Sequence, residues 1–64
     1  MNWKESGSGF NGTEKKWSAY IRQDNVNCAW KLYHEGITMA AGYSDNATLA
    51  KARIAEIMDS KKEN

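Results

Sequence analysis

The sequence predicts an α+β domain of order β-β-β-α, a three-stranded antiparallel meander covered on one face by a single C-terminal helix. Two observations predict it. Between Trp17 and Tyr43 lie three short runs rich in aromatic and branched residues, alternating apolar with polar and separated by turn residues. After Tyr43-Ser44-Asp45-Asn46 the pattern changes to an alanine-rich run with apolar residues at helical spacing.

Taken in order, residues 1–15 differ in kind from the rest of the chain. Ser6-Gly7-Ser8-Gly9 has flexible-linker composition, so 1–15 reads as a flexible N-terminal tail ahead of a domain over 16–60. Trp3 and Phe10 are unusual in such a tail. They are candidate anchors, either folded back over the core or held out for a partner. Phe10 also suits the start of a short extra strand turning at Asn11-Gly12, a favoured hairpin dipeptide.

The first expected strand, Trp17 to Arg22, puts Trp17, Ala19 and Ile21 on one face and Ser18, Tyr20 and Arg22 on the other. Gln23-Asp24-Asn25 supplies a turn. The second strand places Cys28, Trp30 and Leu32 inward, with Ala29, Lys31 and Tyr33 outward. Glu35-Gly36 fits a tight hairpin loop. The third strand continues the alternation, with Ile37, Met39 and Ala41 inward and Thr38 and Ala40 outward. An apolar sheet face needs a cover, and the helix supplies one. Ser44, Asp45 or Asn46 can cap it, and Ala47, Ala50, Ile54, Ile57 and Met58 share one side. Leu49 fits that stripe poorly. Residues 61–64 are expected to fray.

Sixty-four residues with a single cysteine and a single histidine form one small domain without an internal disulfide or a four-ligand zinc site. A chain this short buries only about 60% of the surface its unfolded form exposes. Its support is therefore expected from dense aromatic packing, from association, or from both, and a homodimer stands among the expected partners. Nine cations against eight anions argue against a dedicated non-specific nucleic-acid binder, which carries a basic excess. No apolar run approaches the roughly 20 residues of a membrane span. Met1–Ser6 has no apolar signal region. A reducing, cytoplasmic setting is the simplest expectation.

Catalysis needs convergent groups, and the pattern offers few. Cys28 and His34 as nucleophile and base would stand roughly 20 Å apart along one strand. Carboxylates occur singly, mostly at turns and caps, and no glycine-rich phosphate loop follows a strand. No catalytic residue, cofactor or metal is therefore expected, and the chain reads as non-enzymatic. The outward sheet face is more informative. Tyr20, Arg22, Lys31, Tyr33 and Thr38 interleave aromatic and basic groups, a pattern that stacks on bases and binds phosphates. Tyr and Arg are also the residues enriched at protein hot spots.

Trp17-Ser18-Ala19-Tyr20-Ile21, Gly42-Tyr43-Ser44 and the recurring alanines of 47–55 together resemble small three-stranded-sheet-plus-helix DNA-binding domains. These are the arm-type domains of tyrosine-family integrases and the plant ethylene-response-factor domains. The likeness covers about residues 16–58. It implies a sheet that enters the DNA major groove, with Tyr20, Arg22, Lys31 and Tyr33 as the readers. This chain lacks the dense arginines those sheets use. In size and composition it also resembles small accessory proteins of phages and mobile elements. The near-neutral charge therefore leads to the expectation of a protein-binding module, acting as inhibitor, adaptor or regulator, with nucleic-acid binding through the sheet face as the alternative.

Overall fold

The computed structural model describes residues 1–62. It contains β1 (Asn2–Ser6), β2 (Gly9–Glu14), β3 (Trp17–Gln23), β4 (Cys28–His34), β5 (Ile37–Ser44) and α1 (Ala47–Lys62). The α+β class is as expected, but the sheet has five strands rather than three, in the order β1-β2-β3-β4-β5 with every neighbour antiparallel.

The two additional strands lie within residues 1–15. Their turn is at Gly7-Ser8, where Gly7 adopts φ 59°, the geometry that a two-residue loop with glycine in its first position provides. Asn11-Gly12 is no turn. It sits within β2, and Gly12 pairs with Trp3 of β1. A side chain at position 12 would meet the Trp3 ring at 2.8 Å, so the missing side chain makes room for the indole. Trp3 and Phe10 pack on the core as half-buried rings. The Lys51 ammonium stands 4.2 Å from the Phe10 centroid and 5.6 Å from that of Trp3, close enough for cation–π attraction. The Met1 ammonium pairs with Glu14 at 2.7 Å at the open end of the hairpin, away from its turn.

The core lies between the sheet and the helix. Ala19, Ile21, Cys28, Trp30 and Leu32 from the strands meet Ala50, Ile54 and Met58 from α1. Full burial of side chains such as Ile21, Leu32 and Ile54 stabilises by about 1.5–3 kcal/mol each. Asn46 is the cap: its Oδ1 accepts from the Leu49 N–H at 2.9 Å, and its carbonyl accepts from the Ala50 N–H at 3.1 Å. Lys61 and Lys62, expected in the frayed end, belong to the helix; residues 63–64 lie outside the described residues.

β5 departs from the expected alternation. Leu32 pairs with Ala40 but Tyr33 with Thr38, so Met39 is an extra residue in a β-bulge. The bulge inverts the phase of the strand beyond it. Ala40 and Gly42 therefore take the inner face opposite Leu32 and Trp30, while Ala41 takes the outer face opposite Lys31. Met39 and Ile37, expected inward, are 38% and 66% exposed.

Candidate binding face

The outer sheet face collects the residues singled out in the sequence. Tyr20 of β3 is opposite Lys31 of β4, and Lys31 is opposite Ala41 of β5. Two residues along in one direction, Ser18, Tyr33 and Thr38 form a row. Two residues along in the other, Arg22, Ala29 and Tyr43 form the next. Tyr20, Arg22, Lys31 and Tyr33 thus line one open hollow of about 400 Å³ together with Tyr43. Thr38 shares the face as the neighbour of Tyr33 but does not line the hollow.

The hollow has a simple origin. Ala29, Ala41 and Gly42 supply a low floor, and the three tyrosines and two cations rise around it. Tyr20 and Tyr33 are diagonal neighbours, roughly 7–8 Å apart at the backbone. Tyr43 stands across the floor and is 70% exposed. Its place depends on the phase inversion at Met39, so alternation counted from Ile37 missed it. The available signal was a tyrosine two residues past the expected end of a β-favouring run.

The face is segregated in charge. Its outward positions carry Lys4, Arg22 and Lys31, and no Asp or Glu occupies an outward position on any of the five strands. Glu5 and Glu14 fall on the helix-side phase, and Glu35 belongs to a turn. The nearest acid is Asp24, past the end of β3, whose Oδ1 is 3.8 Å from Arg22 Nε with both groups exposed. Such a loose surface pair holds Arg22 weakly.

The other candidates are dispersed. Trp3 and Phe10 lie on the opposite side of the sheet, against α1. Cys28 is buried at one end of β4, and His34 at the other end stacks obliquely on Trp17 with centroids 4.5 Å apart. No group of three or more His, Cys, Asp or Glu stands together among the described residues. Among them, too, no helix is long and apolar enough to cross a membrane.

Trp30 links the face to the core. Its indole is 6% exposed, lines the hollow from beneath, and leaves Nε1 buried without a hydrogen-bond partner. No protein-family model, curated protein or solved structure matches this chain.

Proposed function

We propose that the protein is a non-enzymatic binding module whose outer sheet face binds single-stranded nucleic acid. The observation that carries this reading is the outward face itself: three tyrosines and three cations with no carboxylate among them. A chain that is near neutral overall nonetheless offers one basic, aromatic surface. Tyrosine rings stack on any base, and neighbouring cations take the phosphates.

Size favours a single strand over a duplex. Five strands at about 4.8 Å spacing span roughly 19 Å, whereas the major groove of B-DNA is about 12 Å wide and admits a two-stranded ribbon. The whole face is therefore too broad to enter the groove, and a flexible strand can lie across it.

The test is fluorescence anisotropy with a labelled single-stranded oligonucleotide across a salt series. Three phosphate contacts imply a slope of log K against log salt near −2, so a fourfold rise in salt weakens binding by about 20-fold. Arg22→Gln with Lys31→Gln should leave a slope of about −0.7. Tyr20→Ala and Tyr33→Ala should each weaken binding by about 1–3 kcal/mol. Absence of binding in dilute buffer, or binding indifferent to salt and to these substitutions, refutes the reading.

A second reading is a protein partner, with the module acting as inhibitor, adaptor or regulator. The hollow favours it, because Tyr and Arg around an apolar floor suit a protruding side chain. Trp3 and Phe10 no longer support it as free anchors, since both pack on the core. Pull-down of a protein lost on Tyr20→Ala with Tyr33→Ala, from a chain that ignores oligonucleotides, would decide for it.

A further inference from the structure

We propose that the nucleic acid held on the outer sheet face is RNA, recognised by Asn11 and Ser18 through the 2′-hydroxyl groups of two nucleotides. The proposal rests on the reading of that face as a single-strand site. Stacking on tyrosine and pairing with lysine treat RNA and DNA alike. The 2′-hydroxyl, donor and acceptor at once, is what separates them. A face that selects RNA therefore needs uncommitted polar groups where the ribose falls.

The rows of the face supply them. In one row Tyr20 of β3 stands opposite Asn11 of β2, and Asn11 stands opposite Lys4 of β1. In the next, Tyr33 of β4 stands opposite Ser18 of β3, and Ser18 opposite Thr13 of β2. Each row runs from an aromatic ring through a small hydrogen-bonding side chain to a group that holds phosphate, a lysine in one and a hydroxyl in the other. That is the order of base, ribose and phosphate in a nucleotide. Three neighbouring strands cover roughly 10 Å, the scale of one nucleotide from its base to its phosphate.

The opposite orientation fits poorly. Beyond Tyr20 come Lys31 and then Ala41, a cation where the ribose would lie and a methyl group at the phosphate. Beyond Tyr33 comes Thr38 on the edge strand, with no strand after it. The two rows also repeat by one step: a shift of one strand over and two residues along carries Tyr20 and Asn11 onto Tyr33 and Ser18. A polymer of identical sugars calls for such a repeat. Among the described residues, the side chains of Asn11 and Ser18 have no hydrogen-bond partner, and each can both donate and accept. In the third row Tyr43, Ala29 and Arg22 keep the same order with a methyl group in the ribose place, so that row does not discriminate.

The test is fluorescence anisotropy with three labelled hexanucleotides of a single base: oligouridine, its 2′-deoxy form and its 2′-O-methyl form. Oligouridine should bind about 25-fold more tightly than the deoxy form, about fivefold for each hydrogen bond. The 2′-O-methyl form keeps the sugar pucker of RNA but cannot donate, and should bind no better than the deoxy form. Asn11→Ala with Ser18→Ala should bring oligouridine to the level of the deoxy form. The same pair should leave binding of the deoxy form and the circular dichroism spectrum unchanged. Lys4→Gln should weaken all three alike and flatten the salt slope by about 0.7. Equal binding of oligouridine and its deoxy form by the wild-type chain overturns the RNA assignment and leaves the single-strand reading standing. So does a preference for RNA that survives the double substitution, or a Lys4→Gln chain that binds as the parent does. A chain that binds none of the three in dilute buffer overturns both.

Discussion

Replacing Gly42 by alanine adds a single methyl group at the contact between β5 and the largest side chain of the core. A Cβ at position 42 would stand 2.8 Å from Cζ2 and 3.2 Å from Cε2 of Trp30. Carbon atoms in good contact sit about 3.5–4.0 Å apart, so the indole has to retreat by roughly 0.7 Å. On its other flank Trp30 pairs with Ile21, which is fully buried, and the ring has little room on that side. Overpacking of this kind costs about 1–3 kcal/mol. Alanine's intrinsic advantage over glycine within a strand, about 0.5–1 kcal/mol, offsets part of it. We expect Gly42→Ala to lose about 1–2 kcal/mol, a fall in Tm of roughly 5–15 °C for a domain of this size. Urea denaturation followed by tryptophan fluorescence measures the loss, and near-ultraviolet circular dichroism reports the displaced indole. A variant as stable as the parent, with an unchanged aromatic spectrum, would mean that Trp30 is not seated on Gly42 and that the floor of the outer hollow is misplaced.

Two local positions give further tests. Glu35 and Gly36 have φ 53° and 82°, the pair of left-handed residues for which Asn-Gly is preferred. Glu35→Asn should stabilise by about 0.5–1 kcal/mol, because the exposed Lys16–Glu35 pair it removes contributes little; an unchanged or lower urea midpoint would contradict the left-handed geometry. Asn46→Ala deletes the side-chain acceptor of the Leu49 N–H and should cost about 1 kcal/mol. A loss below a few tenths, measured in the same way, would place the cap at Ser44 or Asp45 instead.

Period-two alternation made β3 and β4 legible, because both strands run unbroken with one face buried under α1. Ala19, Ile21, Cys28, Trp30 and Leu32 are core as their spacing implied, and Ile54 and Met58 meet them at helical spacing. The N-terminal hairpin was hidden by composition. Glycine and serine that look like a linker instead supply a tight turn at Gly7-Ser8 and a slot at Gly12 for Trp3. Single-residue propensity cannot see that slot, since it exists only when the neighbouring strand is in place. On the outer face, four of the five residues that alternation put there as binding candidates line one hollow. Net charge concealed the character of that face, because the carboxylates of the described residues are confined to turns, the helix and the opposite side.

The bulge at Met39 connects these features. Counting outward from the Tyr33–Thr38 pair, an unbroken strand would place Gly42 outward and Tyr43 inward, beneath α1. The phenol would then compete for space with Trp30, the largest side chain in the core, and the outer hollow would lose its far wall. With one inserted residue, Gly42 turns inward to receive the indole and Tyr43 turns outward to join Tyr20 and Tyr33. The same insertion leaves Met39 exposed on the open edge. Bulges bend and twist the strand that carries them, and at an unpaired edge they commonly discourage association. Here the bulge lies toward the N-terminal end of β5, so Ala40–Ser44 remains regular and uncharged. A single residue thus sets the aromatic face and seats the core tryptophan.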